Sequence, residues 1–188
     1  MAGITNEGAM RALLAGIGKQ FKKVGGKGVT ITKDRTAEIM SSLDVLVRHR
    51  VLVGIPADKA DRKDADDEVN NAARLYIHEH GAPEARPQIP ARPTVGPGIA
   101  AAQPRINAGF KRAAAAAMSG NPQGIQVALH EVGTVARDSI KNKISSNTPP
   151  PLSERTLQER RAVGNASTKT LEATGEMRNA VNYVVERK

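Results

Sequence analysis

The stretch RVLVGI, Arg50 to Ile55, decides the fold. Val51, Val53 and Ile55 alternate with Leu52, the period of two that marks a strand with one face turned inward. Pro56 carries no N–H and closes the run. A strand needs a partner, and the best one stands at the other end of the chain. AVNYVVE, residues 180–186, has the same β-branched and aromatic character after a turn at Gly175. A small antiparallel sheet pairing these two segments is expected. VTIT, 29–32, is a further short strand candidate.

Between the two strands the pattern turns helical. Ile39, Met40, Leu43 and Leu46 fall on one side of a helix from Thr36 to about Leu46. Glu68 to His80 reads as a second helix, with Val69, Ala72, Ala73, Tyr76 and His80 on one face and Gly81 just past its end. Pro97 and Pro104 bracket the start of a third, with Pro104 at its first position or at a kink, and RINAGFKRAAAAAM carries it to Met118. Asn121 then Pro122 form a cap and first-turn pair, and Ile125, Ala128, Val132, Val135, Ile140 and Ile144 hold the helical period to about Ser145. Ser153 caps a short helix through Arg161. Upstream, Met10, Leu13, Leu14, Ile17 and Phe21 give residues 8–23 an apolar helical face. The expected fold is therefore α+β: several helices packed on a small, mainly antiparallel sheet, with extended arms.

Three parts follow. Residues 1–35 form a basic N-terminal helix or arm. Residues 36–145 form the α+β core, with a proline-rich loop at 82–97. Residues 146–188 form an extended arm, a short helix and a final strand returning to the sheet. The arms, 1–30 and 146–170, have little local partner sequence and are expected to reach neighbouring subunits.

The core is poor in rings. Phe21, Phe110, Tyr76 and Tyr183 are the only aromatics of 188 residues, so packing falls to Val, Ile, Leu, Met and alanine. Small side chains bury little area each, which favours further burial in an assembly. There is no cysteine, so disulfides and thiolate metal sites are excluded. No apolar run is long enough to span a membrane, and MAGITNEGAM lacks a signal-peptide pattern, so the chain is expected to stay in the cytoplasm where it is made.

The net charge of +9 is uneven. Residues 1–35 carry seven Lys/Arg against two acids, residues 36–135 eleven against eleven, and residues 136–188 ten against six. Basic ends suit phosphate or an acidic neighbouring protein. Lys19, Lys22, Lys23 and Lys27 are the cations that would meet phosphate or pair with an acidic partner. With so few rings, base stacking is not expected, and contact with nucleic acid would be electrostatic and without sequence preference.

No constellation points to catalysis or to a cofactor. His78 and His80 stand two apart, so on a helix they face different directions, whereas paired zinc ligands need a spacing of four. A metal hydrolase built on them ranks last. GGKG, 25–28, lacks the order of a nucleotide-binding loop and reads as a helix terminator. In the proline loop, Pro83, Pro87, Pro90 and Pro93 restrict an extended path. Arg86 and Arg92 offer planar donors suited to a partner's carboxylates. The loop either docks a neighbour or simply links two helices.

Three phrases, taken in order, resemble a known family: VLVGIP (51–56) followed by NNAARLYIHEHGAPE (70–84); IPARP (89–93) leading into a helix; and SNTPPPLSERTLQER (146–160) before TLEATGEMRNAVNYVVE (170–186). Together they are similar to small neck and tail proteins of tailed bacteriophages, of the tail-completion, head–tail joining or virion-morphogenesis type. The chain departs from that pattern at His80 and Thr94, where aromatics are usual, and at Met177, where leucine is usual. The resemblance implies a structural virion protein. It would form a homo-oligomeric ring at the phage neck or upper tail, contact head-connector and tail proteins, and surround the DNA. It implies an interface at the proline loop, through Arg86, Pro90, Arg92 and Pro93. The alternative is a DNA-binding or DNA-packaging accessory protein acting through the basic ends.

Overall fold

The computed structural model describes residues 34–61 and 69–188. The N-terminal lysines, the helix expected at 8–23 and the strand candidate at 29–32 lie outside the described residues, as does the acidic start expected for the helix at Glu68. Within them the fold is α+β, with six α-helices and one two-stranded antiparallel sheet.

Helix α1, Thr36–Arg48, begins where the Asp34 carboxylate accepts the Thr36 N–H at 2.9 Å. It runs directly into strand β1, His49–Gly54. Strand β2, Asn182–Arg187, pairs with it in the register Val51↔Val185, Leu52↔Val184 and Val53↔Tyr183. The expected pairing is thus observed, with β1 one residue upstream of the expected run. A two-stranded sheet is marginal in water by itself. Here its inner residues Val51, Val53 and Val185 rest on the long helices, while Leu52 and Val184 face outward.

Those helices, α3 (Val95–Met118) and α4 (Pro122–Ser145), form an antiparallel hairpin of 24 residues each. Gly120, at φ +69°, makes the turn between them, and the Asn121 side chain accepts the Gly124 N–H at 2.9 Å. That cap and the proline after it stand where the sequence puts them. Helix α3 buries Gly98, Ala102, Ile106, Gly109, Ala113 and Ala117 against α4. A Cβ on Gly98 would lie 3.0 Å from the Ile140 Cα, and one on Gly109 only 2.4 Å from a Val132 methyl. The alanine-rich composition is therefore the condition for close helix contact, and it compensates for the missing rings. The helix starts at Val95, upstream of the expected Pro97–Pro104 start. Pro104 sits inside it without ending it.

Helix α2, Asn71–His80, is capped by Asn70, whose side chain accepts the Ala73 N–H at 2.9 Å. Its buried residues are Asn71 and Leu75, while Tyr76 is 67% exposed and His80 exposed. The Tyr76 face expected to point inward points outward. In a ten-residue helix with apolar residues on more than one side, tertiary packing chooses the buried face. Leu75 joins Ile140, Ile144, Leu171, Met177 and Val181 in the main aliphatic cluster.

Residues beyond Ser145 do not trail away as an arm. Helix α5, Glu154–Ala162, is capped by Ser153, and α6, Glu176–Ala180, follows Gly175 at φ +79° and leads into β2. The segment between them is fastened by polar contacts. Thr170 donates its N–H to the Asn147 side chain at 3.0 Å and its hydroxyl to the Thr148 carbonyl at 3.0 Å. The Asn165 amide donates to the Ala173 carbonyl at 2.8 Å. The expectation of an extended arm over 146–170 is corrected: it is a folded flap on its own chain. The Thr170 contacts reach 22 and 23 residues back along the chain, which local composition does not reveal. No helix among the described residues is long and apolar enough to cross a membrane.

Candidate functional site

The proline loop is a clasp closed at both ends. Ala82 and Ile89 form a bridge, exchanging hydrogen bonds of 2.8 and 3.1 Å. The Arg92 N–H then reaches back to the His78 carbonyl at 2.6 Å. Gly81 permits this closure: its φ is +78°, and a Cβ there would meet the Ala91 nitrogen at 2.9 Å. Glu79 joins α2 to α3. Its carboxylate accepts the N–H groups of Thr94 (2.7 Å), Val95 (3.0 Å) and Gly96 (3.1 Å), the orphan donors of the α3 N-terminus. Burial pushes the Glu79 carboxyl up, but these three amides, with His80 nearby, outweigh it and hold the group below the usual glutamate range.

Arg92 is 6% exposed. Its Nε donates to the Pro150 carbonyl at 2.8 Å and one terminal nitrogen to the Pro151 carbonyl at 3.2 Å. Arg92 is therefore not an exposed donor on the loop surface. Most of its fork is spent inside the chain, joining IPARP to TPPPLS across 58 residues of sequence. Arg86, Pro90 and Pro93 are exposed as a surface role requires. Among the described residues, the Arg86 head bonds only carbonyls of its own loop, Glu84 and Ala85.

These contacts enclose a cleft of about 490 Å³. Arg74 and His78 of α2 and the loop segment Pro87–Pro90 form one wall. Pro151, Leu152 and Ser153 lead into α5, which adds Thr156 and Arg160. Thr170, Leu171 and the turn from Ala173 to Met177 form the floor. Parts of the phrases that carry the resemblance, from 70–84, 89–93, 146–160 and 170–186, meet here although they are far apart in sequence, while VLVGIP lies outside the cleft.

The cleft is net electropositive: Arg74, Arg92 and Arg160 line it against one carboxylate, Glu176. Arg160 uses one terminal nitrogen for the carbonyls of Ser167 (3.0 Å) and Lys169 (2.8 Å). Burial lowers the proton affinity of Arg92, and the neighbouring Arg160 charge lowers it further. Burial alone does so for Arg160. His78 is held neutral-leaning by burial, then by Arg92 and Arg74, and its Nδ1 has no hydrogen-bond partner among the described residues. The Ser153 and Thr156 hydroxyls bond each other at 2.9 Å at the α5 cap, not the imidazole. The His80 ring packs against Tyr76, centroids 4.5 Å apart with the planes tilted by 49°, and so faces away from His78. Among the described residues, no group of three or more His, Asp or Glu could hold a metal ion. This arrangement suits binding, by shape and positive charge.

Sequence reasoning missed Arg160, Glu79 and the cleft itself. The signal available for Glu79 was an acid at the end of one helix with prolines and a helix start following, but the loop length that returns it to α3 is a tertiary property. A second, shallower groove runs along α4 beside Arg112, Val127, His130 and Glu131, where Arg112 and Glu131 neutralise each other at 2.7 Å. No protein-family model matches the chain, and neither a curated protein nor a solved structure matches it at a significant level.

Proposed function

We propose that the chain is a structural subunit of a tailed-phage particle. Copies form a ring at the neck or upper tail, joining the head connector to the tail around the DNA channel. One observation carries this reading: segments from 70–84, 89–93, 146–160 and 170–186, which belong to the phrases that resemble neck and tail proteins, converge on a single clasped cleft. Glu79 and Arg92 hold that cleft together. The aliphatic, alanine-rich core and the outward Leu52, Tyr76 and Val184 are in keeping with a subunit that buries more surface on assembly.

The test is direct. Native mass spectrometry and electron microscopy of the purified chain, alone and with connector-bearing heads, should give closed rings seated on the connector. Disrupting the gene should leave DNA-filled heads and separate tails. A chain that stays monomeric under all these conditions, in a lysate whose particles join normally without it, overturns the proposal.

A further inference from the structure

The cleft holds an imbalance. Arg92 and Arg160 lie close enough for one charge to depress the other, yet no carboxylate pairs with either among the described residues. Their hydrogen bonds go to neutral carbonyls and leave donors over: one terminal nitrogen of Arg92, and Nε with the second terminal nitrogen of Arg160. Two guanidiniums with spare planar donors beside a cavity make a receptor for an anion. The walls narrow the choice. Leu171 and Met177 are each 6% exposed, and Leu152, Ile89 and the prolines add further apolar surface. No Phe, Tyr or Trp lines the cleft, so it offers no platform for a base, and its size is that of a pocket for a small group or a few residues of chain.

We propose that this cleft binds an Asp or Glu side chain presented by an extended segment of a neighbouring protein, with Arg160 and the free donor of Arg92 as the carboxylate receptor. The apolar walls take the flanking residues. For the class of partner, a protein, the inference rests on the assembly reading above.

The experiment uses the full chain and a short probe, the blocked peptide Ala-Pro-Glu-Pro-Ala and its Gln counterpart. Titration followed in the arginine side-chain and backbone amide NMR signals should shift Arg92, Arg160 and the Thr170–Met177 amides with the Glu peptide. Binding of the Gln peptide should be about ten-fold weaker or worse, since a charged hydrogen bond is lost. A second arm is Thr156→Glu. It places a carboxylate at a position of α5 that lines the cleft, and glutamate is well tolerated in the first turn of a helix. Circular dichroism should be unchanged, and peptide affinity should fall by about ten-fold as the site fills itself.

Equal binding of the two peptides, or shifts mapping elsewhere, overturns the inference. So do stronger shifts of the same signals by inorganic phosphate or a short DNA duplex, which would make the cleft a phosphate site. The two readings separate cleanly. Peptide discrimination in a chain that never assembles overturns the ring alone, whereas rings that form without peptide discrimination overturn the cleft alone.

Discussion

The Glu79 carboxylate accepts the Thr94 amide proton across 2.7 Å, from the last turn of one helix to the first residues of another. With Val95 and Gly96 it satisfies the donors that α3 exposes at its start. Glu79→Ala should cost about 1–2 kcal/mol, the upper part of the range for a lost helix cap. Urea unfolding followed by circular dichroism measures it. A change near zero would show that water replaces the carboxylate.

The same carboxylate sets a pH dependence, together with Glu172. The Ser145 hydroxyl first, then Lys169, hold Glu172 below the usual range. Both groups have folded pKa values below the unfolded 4.5. Their contribution is therefore present above that pH and is lost as pH falls through the folded values. Stability should decline from about pH 4.5 downward, and Glu79→Gln should flatten that decline. Thermal melts between neutral pH and the acid limit check the slope.

Arg92 acts within the subunit. Arg92→Ala should lower stability by about 1.5–3 kcal/mol, the scale for hydrogen bonds from a charged donor. Arg92→Lys should recover only part, because one ammonium lacks the planar fork that reaches both Pro150 and Pro151. Denaturant midpoints of the isolated chain decide this. Unchanged midpoints with impaired assembly would return Arg92 to the role of an external contact.

Gly133 marks where β2 meets α4. A Cβ there would fall 2.2 Å from the Tyr183 ring, whose hydroxyl is held by Thr134 at 3.3 Å and whose face lies under Arg137. Gly133→Ala should cost about 1–3 kcal/mol through overpacking. Combined with Tyr183→Ala the two losses should add to less than their sum, because the second change removes the clash. Strict additivity would show that the ring moves aside freely.

Local pattern by itself determined much of this protein. Alternating Val51 and Val53, and the Val184–Val185 run, specify strands because side chains alternate across any extended chain. Asn121–Pro122 specifies a helix start because cap and first turn lie within three residues of each other. The absence of cysteine and the scarcity of rings specify an aliphatic core. Only the tertiary structure decided which face of α2 is buried, because Leu75 and Tyr76 are both apolar and only one meets Ile140 and Met177. It alone started α3 at Val95, since the acceptor for its first amides comes from Glu79, 15 residues upstream. It alone turned Arg92 inward and folded residues 146–175 into a flap, through partners up to 59 residues away. Hydrogen bonds over such separations depend on the path of the whole chain, which short-range pattern does not encode.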